Sequence, residues 1–351
     1  MEMNKPYHGA AIDKRPPAKQ AQDIQSIEIA SIGPVAWREK RPSTWRKFPI
    51  RDQNGSDTCV AQTGAKMLGI ENFIEENKFI AFSAAPIYNK RLNKPQHGMG
   101  GGDALNILSK HGTTTEERIP SQHMDNGQIA AIKAFDDEDK KIADTYRGGG
   151  YVHLPIDIDA IGDIIENKRK GVMLFIFATW QEWTDTPTIR DTHLTLHNAP
   201  IRHSVTGVDT LFYNGQKAIL IDDSWGEFVA FKGQRILTQE FLEKRCYFAG
   251  YLKDLSNKRD DLQPKPKLFF SRPLSYGMMN NREVKLLQDM LKYEELFPQK
   301  TESTGNFLQL TAKGVRIWQL KNGIMDFANE TDMRNIRFGA KSIKKANEKY
   351  S

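Results

Sequence analysis

The stretch IRDQNGSDTCVAQTGAKMLGI, residues 50–70, decides the fold, because a turn-rich segment changes there into an apolar helical pattern. The turn and cap residues are Gly55–Thr58, and the helical pattern runs from Cys59 to Phe73. A helix N-terminus stabilises the thiolate, which is the nucleophilic form of cysteine. Cys59 is therefore either a small buried hydrophobe or a nucleophile placed at the start of a helix.

The composition is typical of a globular protein with two or three domains. The chain has 351 residues, of which 39% are hydrophobic and 27% are charged. Its net charge of +6 is thinly spread, so it favours an acidic partner surface without naming one. Two cysteines cannot form a disulfide framework, and nothing in the composition demands an oxidising compartment.

The sequence offers no signal peptide and no membrane span. The first twenty residues lack an apolar segment, and the longest apolar run, GVMLFIFATW at 171–180, is too short to cross a bilayer. We therefore predict synthesis in the cytoplasm and no nucleic-acid partner. If the protein acts outside the cell, incorporation into a phage virion or another exported assembly would carry it there.

The first half of the chain is predicted to be helical and the second half rich in strands. Residues 1–40 form a polar arm that either docks on a partner or stays loose. A glycine loop leads into a helix at Asp103–Lys110, with Asp103 as a possible cap, and residues 136–147 are charged and exposed. Strand signals follow in four segments: GVMLFIFATW, RHSVTGVDTL, QKAILIDDSW and GEFVAFKG. This order favours an α+β fold.

Later residues could complete a catalytic site around Cys59. His203 begins an apolar strand and Asp223 follows the next one, so a hairpin through LFYNGQK would bring them together. A cysteine nucleophile needs such a base and a group that orients it. Gln53 could donate to a developing oxyanion, and Trp225 could shield the imidazole–carboxylate bond from water. Four residues with these chemical roles thus follow one another along the chain: Gln53, Cys59, His203 and Asp223.

In this order, the residues resemble the papain-like cysteine peptidases of the C1 type. Gln53, Gly55 and Cys59 have the family's spacing, His203-Ser-Val-Thr-Gly-Val begins a strand, and Asp223-Ser-Trp-Gly replaces its Asn-Ser-Trp-Gly. The resemblance covers about residues 34 to 252. It implies a two-lobed domain at 41–255 with a substrate cleft lined by Trp225 and the glycine loop; the cleft glycines are Gly100, Gly101 and Gly102.

The resemblance also implies a mechanism that needs no metal or organic cofactor. Cys59 would attack a peptide bond, His203 would protonate the leaving amine, Gln53 and the Cys59 amide would hold the oxyanion, and Asp223 would orient His203. Asp223 departs from the family's asparagine, Val60 stands where an aromatic residue is usual, and the family's disulfides cannot form. A competing zinc site at His193, His197 and His203 is disfavoured, because the segment reads as a loop.

The C-terminal region is predicted to be a linker at 256–275 followed by a small helical domain at 276–351. That domain is similar to three-helix peptidoglycan-binding-like domains. The matching residues are Val284, Leu287, Gln288, Gly305, Phe307, Thr311, Val315, Trp318, Gln319, Gly323, Phe338 and Gly339. The same fold also docks proteins, so wall binding and protein docking are both open. The sequence shows no evident tandem repeat.

These inferences predict a cysteine endopeptidase that acts on peptides or proteins, including cell-wall peptides and wall-associated or virion proteins. The alternative is a weakly active or inactive structural or adaptor protein that keeps the peptidase fold. Its N-terminal arm and C-terminal domain would then be docking surfaces.

Overall fold

The structure is a computed structural model that describes residues 7–12, 34–132, 134–255, 267–294, 296–298, 302–324 and 332–350. The chain divides into two compact units. The described residues up to Leu255 belong to the first unit, and those from 267 onward belong to the second. No helix among the described residues is long and apolar enough to cross a membrane.

The first half of the first unit is helical, and its other helices pack around one central, buried helix. The helices are α1 (Cys59–Glu76), α2 (Ala85–Asn89), α3 (Gly101–His111), α4 (Asn126–Ala130) and α5 (Asp137–Thr145). Helix α1 is buried over most of its length. Small residues allow the close packing: a Cβ added at Gly64 would lie 2.8 Å from Leu108 of α3.

The second half of this unit is one antiparallel sheet with two helices. The elements are β1 (Tyr151–His153), α6 (Ile158–Glu166), β2 (Val172–Ala178), β3 (Ile201–Tyr213), β4 (Gln216–Asp222), β5 (Gln234–Thr238), α7 (Gln239–Arg245) and β6 (Cys246–Leu252). The strand order is β1-β6-β2-β3-β4-β5. Strand β2 is buried on both faces, which explains its unbroken apolar run.

The β3–β4 hairpin sets the register that matters for function. Its turn residues, Asn214 and Gly215, have φ angles of 47° and 77°, as a two-residue turn compatible with strand twist requires. The pairing runs from Tyr213↔Gln216 to Thr206↔Asp222. His203 and Asp223 therefore lie at the same end of the hairpin. Ser204 also donates to Thr63 of α1 at 3.0 Å, which joins the sheet to the central helix.

Within its described residues, the second unit has three α-helices, a short 3-10 helix (Met333–Asn335) and a two-stranded sheet. The strands and α-helices are β7 (Leu274–Ser275), α8 (Arg282–Tyr293), α9 (Gln309–Lys321), β8 (Arg337–Phe338) and α10 (Ala340–Tyr350). Its core includes Trp318, Phe307 and Phe338, all fully buried. The mixed helix and sheet content and the small three-helix unit confirm the predicted α+β class and architecture.

Several local predictions are wrong. The segment GEFVAFKG at 226–233 is a series of turns, and the strand β5 begins only after it. Asp103 does not cap its helix; Gly100 is the N-cap, and the Asp103 carboxylate accepts the Leu92 amide at 2.8 Å. The prediction for residues 136–147 is mostly confirmed: most of them are exposed, and the buried ones are Asp139 and Ala143.

The predicted linker is also shorter than expected at its C-terminal end. Residues 256–266 lie outside the described residues, but 267–275 are part of the second unit. Leu268, Phe270 and Leu274 are buried in its core, and Leu274 pairs with Phe338 in the small sheet. Three prolines suggested an extended spacer, whereas the apolar residues between them fill the core.

Candidate active site

Cys59 is the first residue of α1 and is completely buried. The chain reaches it through a tight turn at Asn54 and Gly55, whose φ angles are 48° and 71°. The backbone amide of Gln53 donates to the Ser224 carbonyl at 2.9 Å, and this hydrogen bond holds the turn against the segment after β4. This places the start of α1, with its favourable electrostatic potential for a thiolate, beside the end of the β3–β4 hairpin.

His203 and Asp223 form a buried pair. Nε2 of His203 lies 2.7 Å from Oδ1 of Asp223, and both side chains have no exposed area. An ionised carboxylate can only accept, so Nε2 carries the proton and donates it to Asp223. The pair therefore fixes the tautomer of the neutral imidazole and leaves Nδ1 free to act as a base.

The charges of this pair favour the ionised forms. Burial alone would lower the pKa of His203, but the Asp223 charge and hydrogen bond, with a contribution from Cys59, raise it to about 9. Burial would raise the pKa of Asp223, but His203 and Arg235 lower it to about 2. At neutral pH the site can therefore hold an imidazolium–carboxylate pair.

The thiol of Cys59 is the group that faces the other side of the imidazole. Nδ1 of His203 is buried and has no hydrogen bond of good geometry among the described residues. Cys59 nevertheless interacts with His203 closely enough to contribute to its raised pKa. The three residues of the predicted nucleophile, base and orienter are thus brought together.

Gln53 is also in the site and is held in place. Its Oε1 accepts from Ser224 Oγ at 2.6 Å, which directs Nε2 towards the space beside Cys59. Nε2 donates to the Ser56 carbonyl and to the hydroxyl of Tyr7. One N–H of the Gln53 side chain is therefore directed at the Tyr7 hydroxyl, which itself interacts with Cys59.

Aromatic rings cover the His203–Asp223 pair. The Trp225 ring lies 4.8 Å from the His203 ring at an interplanar angle of 32°, as expected for a shield against water. The Trp183 ring contacts the imidazole edge-on, with centroids 5.9 Å apart. Excluding water in this way strengthens the hydrogen bond within the pair.

An N-terminal strap, residues 7–12, crosses the site. On the sheet side, the Tyr7 backbone amide donates to the Pro200 carbonyl at 2.6 Å, and the Tyr7 carbonyl accepts from the Arg202 amide at 2.7 Å. On the helical side, Met99 donates to the Gly9 carbonyl at 3.0 Å and accepts from the Ala11 amide at 2.9 Å. The arm was predicted to dock on a partner or to stay loose, but its residues 7–12 are docked on the first unit of the same chain.

The strap approaches the sulfur closely. A Cβ added at Gly9 would lie 2.6 Å from Cys59 Sγ, so only glycine fits. The Tyr7 hydroxyl accepts from Gln53 and donates to the Ser56 carbonyl at 3.1 Å. In this conformation the hydroxyl oxygen of Tyr7 occupies the position that faces the Gln53 side-chain amide.

The predicted cleft glycines are not where the strap is held. Gly101 packs against the Phe248 ring, since an added Cβ would lie 2.5 Å from it. Gly102 is buried within the first turn of α3, and Gly100 caps that helix. The backbone contacts to the strap come from Met99 instead, one residue earlier, which sequence reasoning missed.

The alternative zinc site does not assemble. His193 and His197 are exposed on the loop before β3, whereas His203 is enclosed. Among the described residues the one group of three candidate metal ligands is Glu71, Glu75 and Asp254. Lys170 already pairs with two of these carboxylates, Glu71 at 2.5 Å and Asp254 at 2.8 Å.

The second cysteine has a different environment. Cys246 lies in β6, and burial raises the pKa of its thiol to about 12. Its Sγ donates to the Phe248 carbonyl at 3.2 Å. Cys246 is therefore a protonated core residue and a natural control for any test of Cys59.

Comparison with known proteins establishes the fold. No protein-family model matches the sequence, and no curated protein matches it. The chain is similar in structure to xylellain, a cysteine protease from Xylella fastidiosa, with a TM-score of 0.56 and 17% identity over 73% of this chain and 98% of that one.

Two further structures have the same likeness. The recombinant stem bromelain precursor has a TM-score of 0.54 and 13% identity, over 72% of this chain and 79% of that one. Digestive procathepsin L 3 of the Tenebrio molitor larval midgut has a TM-score of 0.52 and 16% identity, over 67% and 77%. The chain therefore has a papain-like fold, as the resemblance implied.

Proposed function

We propose that this protein is a cysteine endopeptidase in which Cys59 attacks a peptide carbonyl and His203 transfers the proton. The observation that carries the proposal is the buried His203–Asp223 pair beside a cysteine at a helix N-terminus. These are the nucleophile, base and orienting group that thiol catalysis needs. The papain-like fold supports the same reaction class but does not by itself establish activity.

The proposed reaction is an acyl transfer through a thioester. The Cys59 thiolate adds to the carbonyl carbon, and the Gln53 side chain with the Cys59 backbone amide stabilises the oxyanion. The C–N bond breaks as the His203 imidazolium gives its proton to the leaving amine. Water, deprotonated by His203, then hydrolyses the thioester and restores the free enzyme.

The strap makes the described conformation a resting one. Tyr7 and Gly9 occupy the space beside Gln53 and Cys59, so a substrate must displace them. We propose that activity requires release or movement of residues 7–12. A cleft filled by its own chain is also the observation that favours the second candidate, an inactive adaptor with the peptidase fold.

A peptidyl fluoromethyl ketone separates these two candidates. It alkylates a thiolate only where the site binds the peptide and activates the sulfur. We expect Cys59 to be modified and Cys246 to stay intact, as identified by mass spectrometry of peptic fragments. Modification that persists in Cys59→Ser, or that never occurs even after removal of residues 1–12, would contradict the endopeptidase.

The role of the second unit is also a proposal. We propose that it docks the peptidase to peptidoglycan or to a protein assembly, including a virion. The support is its resemblance in sequence to peptidoglycan-binding-like domains. Most matching residues, such as Leu287, Trp318 and Phe338, are core, so they indicate packing rather than a ligand. We also propose cell-wall peptides and wall-associated or virion proteins as the substrate classes.

A further inference from the structure

The Asp223 carboxylate has a second partner, contributed by the neighbouring strand. Arg235 of β5 donates from Nε to Asp223 Oδ2 at 2.8 Å, while Oδ1 accepts from His203. All three side chains are buried, with Arg235 only 4% exposed. A row of alternating charges thus crosses the sheet, from His203 through Asp223 to Arg235.

The sheet register explains how Arg235 reaches this place. Arg235 pairs with Ile221 in the β4–β5 ladder, so their side chains share one face of the sheet. Asp223 lies two residues beyond Ile221, on the same face. An arginine at this position in β5 is long enough to reach the carboxylate diagonally.

Further contacts hold the guanidinium itself. Its Nη1 donates to the Thr184 carbonyl at 2.8 Å. The guanidinium carbon lies 5.0 Å from the Trp183 ring and 5.7 Å from the Trp225 ring, so both rings that cover His203 also contact Arg235. Arg235 therefore joins the orienting carboxylate to the loop that carries Trp183.

That loop is anchored independently. Glu182 is fully buried and accepts from the Thr179 and Arg190 amides, and Arg245 pairs with it at 2.7 Å. Thr184 is consequently held by a segment that does not depend on the active-site residues. The anchor gives Arg235 a fixed point from which to hold Asp223.

We infer that Arg235 is a positioning residue that allows a carboxylate to serve where the resembled family has an amide. A buried carboxylate needs compensation for its lost hydration, and an uncharged imidazole cannot supply it. Together, Asp223 and Arg235 carry no net charge, as asparagine carries none. This inference rests on the proposed function, since it concerns the same imidazole.

Charge balance then determines how the imidazole titrates. The groups that face His203 are Asp223, Cys59 and Tyr7, with Arg235 behind the carboxylate. On the opposite side Asp222 is already paired with Lys66 of α1. Removing the guanidinium would strengthen the field of Asp223 at the ring, and removing the carboxylate would leave the guanidinium unopposed.

A double-substitution cycle with His203 NMR tests this arrangement. The ring carbon signals of all eight histidines are followed against pH, with His203→Gln used for assignment. We expect the pKa of His203 to fall in the order Arg235→Gln, parent protein, Asp223→Asn with Arg235→Gln, and Asp223→Asn alone. Because this readout needs no substrate, it can succeed or fail independently of peptidase activity.

Turnover and a conservative variant supply the second readout. Arg235→Lys keeps the charge but loses the forked contact, so the pKa of His203 should stay near that of the parent while kcat falls, by roughly 10- to 100-fold for an orienting group displaced by about 1 Å. The substitution Lys244→Gln, at an exposed pair on α7, is the matched control and should change neither.

Two outcomes would overturn the inference. One is an unchanged pKa of His203 in Arg235→Gln. The other is a doubly substituted protein in which the pKa of His203 is no higher than in Asp223→Asn alone, because removing an unopposed guanidinium must raise that pKa. If Arg235→Gln fails to fold, the comparison of Asp223→Asn alone with the doubly substituted protein decides the same question.

Discussion

The carboxylate at position 223 changes the electrostatics of the whole site. A neutral amide would orient His203 by a hydrogen bond alone, whereas Asp223 also attracts a proton to the ring. The raised pKa of His203 and the lowered pKa of Asp223 are two effects of one interaction. The imidazolium is therefore retained over a wider alkaline range than an ordinary histidine would allow.

This predicts a specific pH dependence for peptide turnover. The imidazolium must protonate the leaving amine, and the pKa of His203 lies at about 9 rather than 6.5. Activity should hold through pH 7 and 8 and decline as the pH rises through about 9. In Asp223→Asn the decline should move to lower pH. An alkaline limb near 6.5 in the parent protein would show that Asp223 does not act on the imidazole.

Sequence reasoning found the residues whose position depends on local pattern. Cys59 lies at the boundary between turn and helix, and His203 and Asp223 lie at the ends of strands joined by an Asn-Gly turn. Arg235 was missed because its partner is defined only by the β4–β5 register. Its one signal in the sequence is a charged residue directly before the apolar pair Ile236-Leu237.

At the scale of elements, the strap crosses the candidate site and lies against Cys59. Tyr7 was missed because it belongs to a short, mainly apolar segment, YHGAAI at 7–12, within a polar arm. The sequence of that segment does not indicate what it packs against. The opposite error occurred at 226–233, where apolar residues suggested a strand. Positive φ angles at Gly226, Ala230, Lys232 and Gly233 turn the chain there instead.

Displacing the strap should expose Cys59. In Gly9→Val the new side chain collides with the sulfur, and such overpacking costs about 1–3 kcal/mol. If the strap is released by that amount, labelling of Cys59 by a thiol reagent should rise roughly 5- to 150-fold. Ala11→Val adds bulk at a half-buried strap position and should have a much smaller effect. Equal rates in all three proteins would show that the strap does not control access.

The contact between α1 and β4 should be important for stability. Asp222 and Lys66 are buried partners, and Asp222 also accepts from Gln234 at 2.7 Å. Asp222→Asn leaves a buried ammonium without its counter-charge, so we expect a loss of about 3–5 kcal/mol in the free energy of unfolding. Glu240→Gln, in an exposed pair, should cost less than about 1 kcal/mol. Urea denaturation measures both, and equal losses would contradict this account.

On the scale of the whole molecule, the second unit has an internal repeat that the sequence analysis overlooked. Gln288 donates to Thr311 and Gln319 donates to Ser342, at 3.0 and 2.8 Å, and the two members of each pair are 23 positions apart. The second pair lies 31 positions after the first, and the buried Phe307 and Phe338 are also 31 positions apart. The repeat was hidden because only buried positions preserve it. The domain limits and the roles of the site residues remain predictions.

Separate cores predict separate functions for the two units. A chain that ends just after Leu255 should still be labelled at Cys59, because Leu255 itself contacts Glu75 and Gly148 of the first unit. The same chain should lose sedimentation with purified peptidoglycan if the second unit is a wall-docking module. Equal sedimentation of full-length and shortened chains would remove the wall-docking proposal, and lost labelling would show that the site needs both units.

The proposed function is the cleavage of peptide bonds by Cys59, His203 and Asp223 together. Its most direct test is hydrolysis of a peptide library by the Gly9→Val protein, in which the cleft is expected to be open, followed by mass spectrometry of the products. We predict cleavage that is abolished by Cys59→Ser and unaffected by Cys246→Ser. Cleavage that survives Cys59→Ser, or no cleavage despite rapid labelling of Cys59, would contradict the account.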